Sequence, residues 1–114
     1  MKTIDEIQLF ARDRQAVREA SEALRAILEV ERIVLFGSKA RGDDDAESDI
    51  DLLVLTRSST SSVDCDRVVD AIFPIELLLG VALSPLLVSA EEWRSGLIAF
   101  HPIHAEIEEQ GVVA

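Results

Sequence analysis

Two apolar, β-branched runs, Arg32-Ile33-Val34-Leu35-Phe36 and Ile50-Asp51-Leu52-Leu53-Val54-Leu55-Thr56, constrain this chain most, because little between them can build a core. Each run predicts a buried strand. The first ends at Gly37, and Ser38 is placed as a cap for a short helical turn. Residues Gly42 to Ser48 are almost all small or acidic, which predicts an exposed loop where the chain reverses direction. The second strand is placed at Asp49–Thr56. Its alternation sets Asp49, Asp51, Leu53 and Leu55 on one face and Ile50, Leu52, Val54 and Thr56 on the other. Both carboxylates then point the same way from one strand end.

Around these strands the sequence reads as helices. Val17, Ala20, Leu24, Ile27 and Leu28 recur at helical spacing between arginines and glutamates, which predicts an amphipathic helix over about Ala11–Leu28. Ser58–Ser62 is a polar linker, and a helix is placed from Asp64 to Leu79, kinked or divided at Pro74 and stopped at Gly80. Val81–Val88 is a third strand. Ser89 followed by Glu92 fits a capping box, so a last helix is expected from there to Gln110, interrupted near Gly96. Gly111–Ala114 is either a frayed end or a short edge strand. Strands interleaved with helices predict an α/β (α+β) fold in which one sheet is covered by helices. With 114 residues and 48% apolar content, residues 1–114 form one domain, since two would each be too small for a stable core.

The formal charge of -11 excludes broad wrapping of a nucleic-acid backbone without a metal or a basic partner. The imbalance is uneven. Residues 1–57 hold nine bases and 13 acids, and residues 58–114 hold two bases and nine acids, so the C-terminal half favours a divalent cation or a basic protein. Cys65 is alone and has no internal disulfide partner, and its neighbours Asp64 and Asp66 oppose thiolate formation. No secretory leader pattern is visible, and the longest apolar stretch, Leu77–Leu87, is too short to span a bilayer. The expectation is a cytoplasmic protein.

The chemistry lies in Gly37-Ser38-Lys39-Ala40-Arg41-Gly42 and Ser48-Asp49-Ile50-Asp51-Leu52. Two aspartates separated by one strand residue can share divalent cations through hard oxygen ligands. Ahead of them, a Gly-Ser pair at a strand-to-turn junction can present backbone N–H groups and a hydroxyl to a phosphate oxygen. Either feature alone is ordinary: Asp-x-Asp is usually a solvated strand end, and Gly-Ser usually a plain turn. Together, each flanked by a buried strand, they describe a site for a metal-chelated polyphosphate.

Ten residues separate Ser38 from Asp49, and the string Gly-Ser-x-Ala-Arg-Gly…Ser-Asp-Ile-Asp-Leu is intact. In this the chain resembles the minimal nucleotidyltransferases of the DNA polymerase β-like superfamily, including the adenylyltransferase-type antitoxins of toxin–antitoxin pairs with HEPN-domain proteins. The resemblance covers most of the chain. It implies a mixed sheet backed by helices, with Gly37 and Ser38 on the nucleotide phosphates and Asp49 and Asp51 binding Mg²⁺. ATP is the implied nucleoside triphosphate. Arg41 either steadies β- or γ-phosphate oxygens or pairs with Asp43, Asp44 or Asp45, and Lys39, at a variable family position, is expected on the surface.

The family pattern also has a third carboxylate on the next strand, and here that strand contains no Asp or Glu. By register the acid is expected at Ala82, with Ser84 two residues on and unable to hold charge at neutral pH. Glu76 reaches the site only if its helix end bends towards the strand, and is expected on the surface. Three readings follow: two carboxylates suffice, a partner completes the site, or the domain binds nucleotide and partner with little turnover. The resemblance implies transfer of a nucleoside monophosphate, AMP from ATP, to a hydroxyl such as a tyrosine of a HEPN-like helical partner. The alternative is an antitoxin module that acts by contact.

Among other residues, His101 and His104 lie three apart near Glu106 and Glu108, but without a Cys or further well-placed ligand they read as helix-surface residues. Trp93 is expected to pack the last helix on the sheet. The apolar excess between Asp64 and Val81 suits a partner, either the HEPN-like protein or a second copy in a homodimer.

Overall fold

The computed structural model describes all residues, Met1–Ala114. Strand β1 is Lys2–Thr3, and after a 3-10 turn helix α1 spans Ala11–Ile27. Strand β2 is Val30–Phe36, helix α2 is the single turn Ser38–Arg41, and β3 is Ile50–Thr56. Helix α3 covers Ser62–Leu79, β4 Leu83–Ser89, α4 Ala90–Ser95, α5 Pro102–Gln110 and β5 Val112–Val113. The five strands form one mixed sheet ordered β1-β5-β2-β3-β4. The expected helix-backed mixed sheet is therefore present.

Strands β2 and β3 are antiparallel neighbours, with Val34 opposite Leu53 and Phe36 opposite Asp51, as the reversal after Gly42 requires. Helix α3 then returns the chain so that β4 lies parallel to β3, as a helical crossover does. The alternation of β3 divides the core in two. Ile50, Leu52 and Val54 join Ile33 and Leu35 beneath α1 and α3, whose inward residues include Val17, Leu24, Val68 and Ile72. Leu53 and Leu55 join Val34, Val88, Trp93 and Ile107 beneath α4 and α5. Trp93 thus packs the C-terminal helices on the sheet, as expected.

Several boundaries differ from the sequence expectation, each for a local reason. Helix α3 begins at Ser62, because Ser61 and Asp64 form a reciprocal capping box that converts the end of the expected linker into a cap. Pro74 does not divide the helix. It lies exposed on the outer face, where water can satisfy the Asp70 carbonyl left without its N–H partner. Strand β4 starts at Leu83, two residues late, because Gly80 adopts φ 66° and Val81 N–H still bonds back to the Glu76 carbonyl. At Ser89 only half a capping box forms: its hydroxyl accepts the Glu92 N–H at 3.1 Å, while the Glu92 side chain lies against Gly96. The break near Gly96 is present, followed by a 3-10 segment, Leu97–Phe100. Gly111–Ala114 forms a strand but not an edge, since the unforeseen β1 covers β5 on its far side.

Candidate phosphate and metal site

The turn after β2 brings the motif together. Gly37 has φ 74° and ψ -155°, a combination essentially closed to residues with a Cβ. Asp51 explains why the closeness is also needed: a Cβ on Gly37 would collide with its carboxylate, whose Cγ would lie 3.3 Å away. The Gly-Ser turn and the second aspartate are thus in direct contact. Gly37, rather than Ser38, is the N-cap of α2, and its carbonyl accepts the Ala40 and Arg41 N–H groups, both at 3.1 Å. Ser38 is the first helical residue. Its side chain is half-buried, and its hydroxyl makes no hydrogen bond within the protein.

Asp49 is exposed immediately before β3, and Asp51 is half-buried one residue inside it. Burial raises the Asp51 pKa above the ordinary carboxylate value, and the charge of Asp49 raises it further; Arg41 opposes the shift and Glu106 adds to it. A cation between the two carboxylates would remove this penalty. The donor set therefore fits a hard divalent ion: two same-face carboxylates beside a glycine cradle that a side chain would fill.

As the sequence indicates, the strand beside β3 carries no acid at the matching register. Ser84 lies opposite Asp51, and the Ala82 carbonyl accepts the Ile50 N–H at 2.8 Å, which places exposed Ala82 beside Asp49. Glu76 is half-buried rather than surface-free. Its carboxylate accepts the Leu83 N–H at 3.1 Å, on the outer edge of β4. No group of three or more Asp, Glu, His or Cys side chains converges anywhere in the structure, so the protein's carboxylates for an ion here would be Asp49 and Asp51 alone.

Arg41 resolves as an ion pair, with Nε 3.1 Å from Asp43 and Nη1 3.0 Å from Glu106. Glu106 was not foreseen. It lies 65 residues from Arg41 and reaches α2 only because Ile103 and Ile107 seat α5 on the sheet. A cavity of about 530 Å³ lies beside α2, between Glu6–Phe10 and Lys39–Arg41, but includes none of Gly37, Ser38, Asp49 and Asp51.

Lys39 corrects the sequence expectation most sharply. Instead of facing solvent it is 1% exposed, with Nζ 2.6 Å from Asp13 and 3.0 Å from Asp44. It also donates to the Asp45 carbonyl at 2.9 Å and lies over the Phe10 ring at 5.1 Å. Desolvation by burial lowers its pKa, but the hydrogen bonds and charges of Asp13 and Asp44 outweigh it, so the net shift is upward. With Arg12 donating to the Ala46 carbonyl at 2.6 Å, this network ties the loop to α1. The loop that sets the spacing between Ser38 and Asp49 is thereby held from beneath. The buried Asp13 in the helix pattern was the available signal. Elsewhere, His101 caps α5 by accepting the Ile103 N–H at 3.1 Å, and the His104 ring packs on Trp93 with centroids 4.4 Å apart.

Residues 17–109 match the family model described as nucleotidyltransferase domain. The chain belongs to this nucleotidyltransferase family. It is 36% identical over 103 residues to a Methanocaldococcus jannaschii protein assigned by name to the protein adenylyltransferases, covering 89% of this chain and 96% of that protein. A second protein of that organism with the same assigned function is 29% identical over 75 residues, covering 64% of this chain and 76% of the relative. Among solved structures, a chain of a toxin–antitoxin complex with AMP-PNP superposes with TM-score 0.58 at 23% identity, covering 84% of this chain and 69% of that one. A chain of the complex of a tri-AMPylated Shewanella oneidensis HEPN toxin with an MNT antitoxin gives TM-score 0.54 at 20% identity, covering 89% and 70%. These structural likenesses identify a minimal nucleotidyltransferase fold of the kind found in HEPN/MNT pairs.

Proposed function

We propose that this nucleotidyltransferase moves AMP from ATP to a hydroxyl on a HEPN-like partner protein. The observation that carries the reading is the contact of Gly37 with Asp51, which joins a phosphate-sized turn to a metal-ready carboxylate. Asp49 and Asp51 would hold Mg²⁺, which when bound supplies charge neutralisation at the α-phosphorus and the pyrophosphate. Gly37 and Ser38 orient the phosphates through backbone N–H groups and the unpaired hydroxyl. Arg41 exchanges Asp43 and Glu106 for a β- or γ-phosphate oxygen. In the transfer, the acceptor oxygen forms a bond to the α-phosphorus while the bond to the bridging oxygen of pyrophosphate breaks. The hydroxyl proton leaves to solvent or to a base of the partner, since Ala82 and Ser84 supply no carboxylate.

The relatives support this reading: two carry the name of protein adenylyltransferase, and one solved complex contains an AMPylated HEPN toxin. The absence of an acid at Ala82 and the use of Glu76 on the β4 edge favour a second reading, a module that neutralises its partner by binding with little turnover. Incubation with labelled ATP, Mg²⁺ and a purified HEPN-domain protein separates the two. Label transfer that is lost in Asp51→Asn supports the enzyme, and a gain in Ala82→Asp identifies the missing acid. Unchanged Mg²⁺ and ATP affinity in an Asp49→Asn, Asp51→Asn double variant would remove the site assignment.

A further inference from the structure

We propose that the outer face of α3 docks a helical partner whose apolar side chains are bordered by lysine or arginine. Val69, Phe73 and Leu77 follow one another at four-residue spacing and are 56%, 46% and 73% exposed, with Leu78 beside them at 77%. Side chains so spaced form a ridge, and a ridge of this kind fits the groove on a helix surface. Helix α1 provides an internal control, because it packs against α3 and covers the same sheet face. Its outward positions include Gln15, Arg18, Glu22 and Arg25, an ordinary solvated surface. Of these two helices only α3 turns a ridge of large apolar residues outward, and a contiguous patch of that kind marks an interaction surface.

Charge selects the occupant. Asp66 and Asp70 are exposed beside the ridge, and no Lys or Arg occurs from Val68 to Trp93. Arg67, the nearest cation along the sequence, is already engaged by the Ile27 carbonyl at 2.9 Å and by Asp64 at 3.8 Å. A second copy placed ridge to ridge would bring Asp66 and Asp70 of each copy together, whereas a basic border on a different protein is complementary. The ridge and the Asp49–Asp51 face lie on opposite sides of the sheet. Docking on α3 therefore leaves the phosphate and metal site open. This inference rests on the proposed reading in that it describes the partner on which transfer occurs.

The test is calorimetric titration of the full chain, without nucleotide or metal, by an amphipathic Leu/Lys helix of about 18 residues, long enough to be helical. A scrambled peptide of equal composition and a Leu/Glu helix are the comparisons. The amphipathic Leu/Lys peptide is expected to bind, to protect Val69–Leu78 amides from exchange, and to bind about tenfold more weakly to Leu77→Ser or Phe73→Ser. Asp70→Lys should also weaken it, and unchanged circular dichroism shows that these exposed substitutions leave the fold intact. The proposal is overturned by absent binding, by equal binding of either comparison peptide, or by indifference to Leu77→Ser. It is equally overturned if sedimentation shows a dimer that Leu77→Ser dissolves, which assigns the ridge to a second copy. Asp51→Asn should abolish label transfer without changing peptide binding, so failure here and failure of the transfer reading are distinguishable.

Discussion

At Gly37 one backbone conformation and one side-chain contact make the same demand, and each can be measured separately. Gly37→Ala should cost about 1–3 kcal/mol of stability from the disfavoured dihedrals alone. It should also weaken Mg²⁺ binding, because the Asp51 carboxylate must move away from the new Cβ; denaturant melts and metal titration check the two effects. Asp51 itself gives a pH prediction. Its folded pKa is raised, so its contribution to stability is present below the ordinary carboxylate pKa and lost as pH rises through the raised value. Metal-free Asp51→Asn should therefore melt higher than the native protein at pH 7, with the difference closing towards about pH 4. Half exposure and solvent screening hold the gain below about 1 kcal/mol. Added Mg²⁺ should raise the melting temperature of the native protein and leave that of the Asn variant nearly unchanged.

Among the elements, those with a periodic pattern were legible from sequence: α1, β2, β3 and the bulk of α3 lie where spacing and β-branching put them. The shifts at Ser61 and Val81 arise from a capping serine and a helix stop that reaches one residue further than its glycine. Strands β1 and β5 carry only two residues each, too few for periodicity, and exist because β5 hydrogen-bonds to β2 and β1 to β5. The candidate site was legible only in its local part. Gly37, Ser38, Asp49 and Asp51 came from local spacing, whereas Glu106 and the burial of Lys39 depend on how α5 and α1 pack. The network beneath the loop is the element-scale device that converts sequence spacing into fixed geometry. Lys39→Met should cost about 3–5 kcal/mol, because it removes the close cation from buried Asp13 and leaves it only Arg12 at 3.6 Å. Adding Asp13→Leu should recover part of that loss in urea melts, while leaving Mg²⁺ affinity below native if the loop stays untied.

For the whole molecule, the sheet separates two tasks. Its α4 and α5 side carries the two aspartates, and its α1 and α3 side carries the proposed docking ridge, so a bound partner must bring its acceptor hydroxyl around an edge or from a distant part of its own structure. The edge strand β4, with Glu76 occupying one of its outward N–H groups, is the nearer route, since β3 and its aspartates lie next to it. The sealed position of Lys39 has a further use. Lysine occurs only at residues 2 and 39, the first exposed and the second enclosed. An acylating reagent should mark Lys2 in the native protein at once and Lys39 only when the Asp13–Asp44 socket opens, as peptide mass spectrometry after timed exposure would record. The chain thus contains its own unfolding clock, read by the difference in reactivity between two amines.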